Sequence, residues 1–482
     1  MDLKNMASKD EVIALSKKKC RIFFYRICGT GMGACASLLR AMGHEIEGVD
    51  FNFYPPMSTY LSEAGIKTCL FEDFDPESLK GFDLIVVGNA VHRLSEHARI
   101  IERSGVAFSS FPAVLGAFVL NAENVVGVCG THGKTTTTYF LAQIYENIGL
   151  TPGYFIGAIL DGRAPARLSE GGAPFFIEAD EYDSAYFHKF SKFRLYELNS
   201  MILTSLEFDH ADIFNSLEDI EKEFEFVLPQ IDGVFVGNSD YPSITKIASK
   251  HLENKNTYSY GDTSSLGPKS VSTSNCGSSF FINWEGEELK FNTSLVGKHN
   301  IENLCSAIVY ALRNGISYSE LSPAVEKLVL AKRRQELIGN FKGMPIIDDF
   351  AHHPTAVKVT IDAISSQYPG KKILAVFEPM SATSRSELFQ KKYIEVFGKC
   401  ARLLIVEPGS KTTVEGVNNL DTHLLVDEIR KYSGIEVGSE NHLDGITQWI
   451  ERQAGDESVL LVMSNNTCMG LWNSEFMKRI IG

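Results

Sequence analysis

Nowhere among the 482 residues does a C-x-x-C pair occur, although the chain carries nine cysteines. An odd, scattered set of thiols suggests neither a disulfide framework nor a zinc site, and it points to a reducing compartment. Positive charge is also short. The 46 Lys and Arg face 60 Asp and Glu, a net charge of −14, which argues against bulk binding to nucleic acid or an anionic membrane. A phosphate or carboxylate ligand must therefore meet a local cluster of cations. The longest apolar runs, such as 111–120 and 459–463, fall short of the roughly 20 residues that cross a bilayer, so no membrane insertion is expected. Residues 1–20 lack the apolar centre of a signal peptide, and no repeat or low-complexity tract is evident. With 44% hydrophobic and 22% charged residues, the composition is that of a soluble, cytoplasmic protein of about two to four domains.

What is present centres on residues 125–138, V-V-G-V-C-G-T-H-G-K-T-T-T-T. The apolar run Val125–Cys129 predicts a buried strand. It breaks into the turn Gly130, Thr131, His132, Gly133, and Lys134 and Thr135 then open a helix that should end at Gly149. Strand, glycine turn, Lys-Thr and helix together form a phosphate-binding layout. Backbone N–H groups and the helix N-terminus face an anion, Lys134 reaches the β/γ-phosphates, and the Thr135 hydroxyl can ligate Mg²⁺. The spacing departs from the usual form, since five residues rather than four separate Gly127 from Gly133.

Upstream, a β-rich run at 21–27 ends in Gly29, Gly31 and Gly33, followed by a helical pattern, a strand over 45–49 and Asp50. This is the outline of a dinucleotide fingerprint, whose literal reading is NAD; such turns also cradle the pyrophosphate of UDP-sugars. For Asp50 the plainer alternative is an ordinary strand-end carboxylate. Downstream, an apolar strand delivers Glu178, Asp180, Glu181 and Asp183. Strand alternation puts Glu178 and Asp180 on one side, and one of them is a candidate metal ligand. Glu181 and Asp183 fit a solvated acidic loop. A strand over 200–205 leads to Asp209, His210 and Asp212, where a histidine among carboxylates can join a metal site. Residues 255–295 read as a small antiparallel appendage. Asn300 and Asn303 lie one turn apart on a helix face, as an adenine-binding pair or with Asn300 as a helix N-cap.

The basic residues 332–334 mark a junction, with charges able to serve a phosphate. Beyond it come a strand at 345–347, D-D-F-A-H-H-P at 348–354, a helix to Ser366 and a strand over 372–377. Glu378-Pro379, a helix over 387–398, a strand over 402–406 and a last strand over 458–463 complete the pattern. The alternation predicts an α/β chain of three domains: Rossmann-like over 1–121, P-loop ATPase-like over 122–331 and Rossmann-like over 332–482.

G-T-H-G-K-T in the middle domain, G-K-H-N-I-E-N at its end and D-D-F-A-H-H-P-T after the junction resemble the Mur ligases, over essentially the whole chain from Arg21. The resemblance implies an ATP-dependent ligase that joins an amino acid or peptide to a UDP-N-acetylmuramoyl carboxylate. Residues 54–59, 206–214 and Glu378-Pro379 are similar to the member that adds the tripeptide L-Ala-γ-D-Glu-meso-diaminopimelate in peptidoglycan recycling; the alternative is the member that adds L-alanine. That pattern usually carries an arginine after Glu-Pro, where this chain has Met380. By the same resemblance Lys134 holds the ATP phosphates, Thr135 and Glu178 one Mg²⁺, and His210 a second. Asn300 and Asn303 contact adenine, Arg334 and Asp349 close on the nucleotide, Gly29, Gly31 and Gly33 line the UDP site, and His352 lies near the acceptor carboxylate. His210 and His352 are the candidate bases. Small residues at 381–384 leave room for a peptide, and its carboxylates need cations, for which Arg385, Lys411 and Arg402 are available.

Overall fold

The computed structural model describes residues 2–160, 162–252, 256–274, 276–408 and 417–481. Its contacts divide the chain into two compact units. The first comprises Met1–Glu207, Glu218–Ser264 and Ser306–Ala324; the second comprises Phe208–Leu217, Ser265–Cys305 and Val325–Gly482.

Among the described residues the first unit holds two large sheets and a two-stranded hairpin. Strands β1 (Arg21–Tyr25), β2 (Glu45–Asp50), β3 (Lys67–Leu70), β4 (Leu84–Val87) and β5 (Phe108–Ser110) pair in parallel in the order β3-β2-β1-β4-β5. The order reverses between β1 and β4, the point at which such sheets open a crevice beyond their carboxyl ends. The glycine turn leaves β1 there and starts the helix Thr30–Ala41.

The second sheet uses β6 (Val125–Cys129), β7 (Gly153–Phe155), β8 (Ala166–Arg167) and β9 (Phe175–Glu178). After a hairpin of β10 (Asp183–Ala185) and β11 (His188–Ser191) come β12 (Ser200–Leu203), β13 (Val234–Asn238) and β14 (Asn256–Tyr260). The order is β14-β13-β12-β6-β9-β7-β8, so β6 lies between β9 and β12. Val128 pairs with Glu178 and Cys129 with Leu203, which brings three strand ends to one edge of the sheet. All five residues of β6 are buried, as a central parallel strand requires. The following helix, Lys134–Asn147, is buried from Thr135 to Tyr145, and Gly149 at φ 88° lets the chain turn away from it.

In the second unit, β15 (Lys269–Ser274), β16 (Gly277–Trp284) and β17 (Glu287–Thr293) form the antiparallel appendage expected over 255–295, except that Asn256–Tyr260 is β14, a parallel strand of the seven-stranded sheet. The larger sheet contains β18 (Glu336–Phe341), β19 (Met344–Asp349), β20 (Lys372–Glu378), β21 (Arg402–Val406), β22 (Glu436–Glu440) and β23 (Ser458–Ser464), in the order β18-β19-β23-β20-β21-β22. Only β18 runs antiparallel to its neighbour. Both faces carry cores. Ile373, Ala375 and Phe377 of β20 enter one cluster, whereas Leu374 and Val376 enter the other. That two-residue period is why these strands read as continuous apolar runs.

Two sequence expectations for this unit need correction. The helix expected over 387–398 is a 3₁₀ turn, Glu387–Phe389, and a short helix, Gln390–Ile394; Phe389, Tyr393, Phe397 and Cys400 instead anchor the segment in the core. The helices Thr422–Ser433 and Leu443–Gln453, with β22 between them, were not anticipated. Among the described residues no helix is long and apolar enough to cross a membrane.

Packing within the first unit leaves no room for a side chain at Gly116, where an added Cβ would lie 2.0 Å from the Leu195 carbonyl oxygen. Backbone cannot yield as a flexible side chain would. Gly116→Ala is expected to destabilise the first unit by roughly 1–3 kcal/mol. A lower urea midpoint checks it; an unchanged midpoint contradicts the packing described.

Candidate active site

The first unit gathers a charged cluster where β6, β9 and β12 end. Gly130 has φ 127° and Gly133 φ 84°, values that only glycine adopts freely, and an added Cβ at Gly130 would lie 2.5 Å from Thr204 Oγ1. Lys134 projects from the first helical turn. Its Nζ donates to the Gly130 carbonyl at 2.6 Å and to Glu181 Oε2 at 2.9 Å, with Asp180 Oδ1 at 3.6 Å. Burial works against the ammonium charge, but Glu181, Asp180 and Glu178 outweigh it and hold Lys134 above the usual lysine range. The side chain therefore stays protonated at neutral pH.

Glu178 ends β9, where Oε1 accepts from Thr135 Oγ1 at 2.8 Å and Oε2 from the Gly157 N–H at 2.9 Å. A hydroxyl and a carboxylate side by side form a hard-oxygen donor pair of the kind that suits Mg²⁺. The other acidic residues differ from the sequence reading. Glu181 and Asp183 are not a solvated loop: their side chains are 2% and 3% exposed, paired with Lys134 and Lys189. Glu178 and Asp180 do not share a strand face, since β9 stops at Glu178. Asp180 reaches the loop from the segment beyond and also binds Lys192 at 2.8 Å. The missed signal was the lysine itself, because a buried ammonium requires buried carboxylates.

At the other glycine turn the structure separates the three glycines. An added Cβ at Gly33 would lie 2.2 Å from Met57 Sδ and one at Gly31 3.3 Å from the Phe111 ring; at Gly29 the nearest atom is 3.9 Å away. Gly33 thus serves helix packing rather than lining a site. Asp50 is buried and behaves as the strand-end buttress. It accepts the N–H groups of Cys28 and Phe51, each at 2.8 Å, with Arg26 Nε 3.2 Å away. Its oxygens brace the turn itself.

In the second unit, β19 ends in Asp348 and Asp349. Burial pushes Asp348 up to about 7, against the pull of Arg333, whose Nε lies 3.0 Å away. Arg333 also donates to the carbonyls of Ser464 and Asn466, both at 2.6 Å, and Lys332 pairs with Glu336 at 2.9 Å. Of the basic residues read as phosphate-serving, Arg333 is therefore internal. Arg334 lies over the Phe350 ring at 5.1 Å. Burial raises Asp349 as well, opposed by Arg334 and by the N–H groups of Gln335 and Ala351.

Four further candidates lie in this unit. His352 Nδ1 is 3.1 Å from the Phe350 carbonyl; a carbonyl only accepts, so this nitrogen carries the hydrogen and Nε2 is the basic one in the neutral ring. His210 has φ 55°, and its N–H donates to Asp209. Burial would raise Asp209, but His210, His352 and His353 together hold it well below the carboxylate range. Asn300 is no N-cap: it lies inside the helix Lys298–Arg313, and its amide donates to the Val296 carbonyl at 2.8 Å, while Asn303 is half-buried.

Glu378 is buried, accepting from the Cys468 N–H at 2.9 Å, the Met469 N–H at 3.2 Å and the Ser464 hydroxyl. Met380 N–H donates to Asn465 Oδ1 at 3.1 Å. Arg385 is half-buried, and its Nε has no hydrogen-bond partner among the described residues. Arg402 begins β21 and pairs with Glu436 at 3.1 Å, at the amino end of the strands and away from the end where such sheets bind ligands. Lys411 lies outside the described residues.

Comparison with known proteins supplies the family. Residues 21–122 match the model of the Mur ligase family catalytic domain, 128–311 the Mur ligase middle domain and 333–466 the Mur ligase glutamate ligase domain. The UDP-N-acetylmuramate–L-alanyl-γ-D-glutamyl-meso-2,6-diaminoheptandioate ligase of Escherichia coli K12 is 36% identical over 396 residues, 80% of this chain and 85% of that one. The UDP-N-acetylmuramate–L-alanine ligase of Streptococcus gordonii is 34% identical over 367 residues, covering 75% and 77%. The crystal structure of a murein peptide ligase from Psychrobacter arcticus superposes with a TM-score of 0.69 at 29% identity, covering 94% of this chain and 97% of that one. With its three-domain α/β architecture, the chain belongs to the Mur ligase family.

Proposed function

We propose that this Mur ligase joins the lactyl carboxylate of UDP-N-acetylmuramate to the amine of L-Ala-γ-D-Glu-meso-diaminopimelate, converting ATP to ADP and phosphate, in cytoplasmic peptidoglycan recycling. The observation that carries this reading is the Lys134–Thr135–Glu178 cluster in a chain 36% identical to the Escherichia coli ligase of that name. A carboxylate is a poor electrophile at neutral pH, so phosphorylation must precede amide formation. Two anions then have to meet, which calls for fixed positive charge where the phosphates lie.

Lys134 supplies that charge, on the phosphate loop 130–135. Thr135 Oγ1 and Glu178 would hold Mg²⁺, and His210 a second ion. Bound there, the metal would offset the charge on the phosphate oxygens. Asn300 and Asn303 are assigned to adenine, Arg334 and Asp349 to nucleotide closure, and Gly29 and Gly31 to the UDP pyrophosphate. Attack of the peptide amine on the acyl phosphate gives a tetrahedral intermediate and releases phosphate. His210 and His352 are candidates to take the amine proton, and the fixed Nδ1 hydrogen favours His352, through Nε2. Arg385, with its buried and unpartnered Nε, is assigned to the peptide.

A second reading has one specific observation behind it: the Streptococcus gordonii ligase named for L-alanine is 34% identical. Phosphate release measured with UDP-N-acetylmuramate and either amine separates the two. A higher kcat/KM with the tripeptide is expected, and equal or better turnover with L-alanine would select the second reading.

Lys134→Ala is expected to lower turnover by at least roughly 10²–10³-fold while UDP-N-acetylmuramate still binds. It also leaves Glu181 buried without its cation, so stability should fall by roughly 3–5 kcal/mol. Adding Glu181→Gln should recover much of the stability and none of the turnover. Near-normal turnover in Lys134→Ala would remove the phosphate-loop assignment.

A further inference from the structure

The phosphate turn rests on the residues that follow β12. Thr131 N–H donates to the Ser205 carbonyl at 3.3 Å, and His132 N–H to Ser205 Oγ at 2.7 Å. Thr131 Oγ1 and the Glu207 backbone exchange two hydrogen bonds, at 3.1 and 2.8 Å. Thr204 Oγ1 donates to the Cys129 carbonyl at 3.0 Å and also to that of His132. The N–H groups of Thr131 and His132 therefore belong to the scaffold. Beyond them the helix opens at Gly133, Lys134 and Thr135.

One side-chain contact at the tip of the turn stands apart from this backbone scaffold. His132 Nε2 lies 2.9 Å from Glu207 Oε2, and the two side chains are 22% and 30% exposed. A partly exposed pair of this kind contributes little to stability, and its loss opens no cavity in a core. What it does fix is direction. A carboxylate accepts and does not donate, so the hydrogen resides on Nε2 and the ring is held in one orientation at the tip.

We propose that Glu207 is a positioning residue for the phosphate loop, acting through His132 to hold the tip of the turn in its nucleotide-binding form. This rests on the nucleotide role proposed above for residues 130–135. Glu207 is set apart from Glu178 and Glu181, which face Thr135 and Lys134, because its carboxylate meets the turn at His132. Its own backbone contacts to Thr131 survive any substitution of the side chain, so a variant isolates the carboxylate.

The test compares Glu207→Ala, Glu207→Gln, His132→Ala and the double variant H132A/E207A in the full chain. Glu207→Ala is expected to raise the KM for ATP roughly two- to fivefold, the most that so exposed a pair can bias the turn. The KM for UDP-N-acetylmuramate and the melting temperature should stay at parental values. Glu207→Gln keeps an oxygen that accepts from Nε2–H and should restore most of the loss. The double variant should be no worse than His132→Ala alone, because both changes remove one contact.

An unchanged KM for ATP in Glu207→Ala, additive losses in the double variant, or a parallel rise in every KM would each overturn the proposal. Calorimetric titration with ADP and Mg²⁺ gives a readout independent of turnover, with affinity falling by the same factor in Glu207→Ala. If the parent releases no phosphate from ATP, the ligase reading fails, while this titration still decides the role of Glu207.

Discussion

A buried ammonium sets the terms for the rest of the first unit. Lys134 sits at a helix start, nearly enclosed, and stays charged because Glu181, Asp180 and Glu178 surround it. Removing either side of this arrangement would strand an uncompensated charge. The arrangement also dictates topology. The carboxylates must arrive from the strand beside β6, and the scaffold for the turn from the strand on the other side. The order β12-β6-β9 provides both. The lysine is held by these acids and by the Gly130 carbonyl.

The second unit solves a related problem with a different balance. Asp348 and Asp349 end β19 and Glu378 ends β20, the two strands that flank β23, and each is buried. Arg333 answers Asp348, backbone N–H groups answer Asp349, and the N–H groups of Cys468 and Met469 answer Glu378. Arg333 and Glu378 also grip the segment after β23, one through the carbonyls of Ser464 and Asn466, the other through the amides of Cys468 and Met469. Cys468, Met469 and Gly470 all take positive φ there. The carboxyl edge of this sheet is consequently a fixed polar surface, as substrate recognition at strand ends requires.

Much of this was legible in the chain because the governing signals are local. Glycines at 130 and 133, a strand before them and Lys134-Thr135 after them specify a turn without reference to distant residues. Apolar runs such as 402–406 specify buried strands by composition alone. The acidic segment after β9 reads as a solvated loop because pairing across 47 residues, from Lys134 to Glu181, leaves no periodic trace. Arg333 and Arg334 are adjacent in sequence and both lie over the Phe350 ring, yet Arg333 also binds Asp348 and the carbonyls of Ser464 and Asn466; nothing in a basic run foretells that. The glycines of the first turn are a milder case. G-x-G-x-G shows that small residues are needed, whereas the Met57 side chain opposite Gly33 shows for what. Ser205 and Glu207, which hold the glycine turn 130–133, carry no motif and are visible only through their contacts.

In the function proposed for this chain, the loop 130–135 activates a carboxylate by phosphoryl transfer. Its most direct test is to follow ¹⁸O from the lactyl carboxylate of UDP-N-acetylmuramate through one turnover with ATP and the tripeptide. One labelled oxygen in the released inorganic phosphate, with ADP as coproduct, is the result this account predicts. Label in AMP, with pyrophosphate released, would mean adenylation at the α-phosphate and would contradict it.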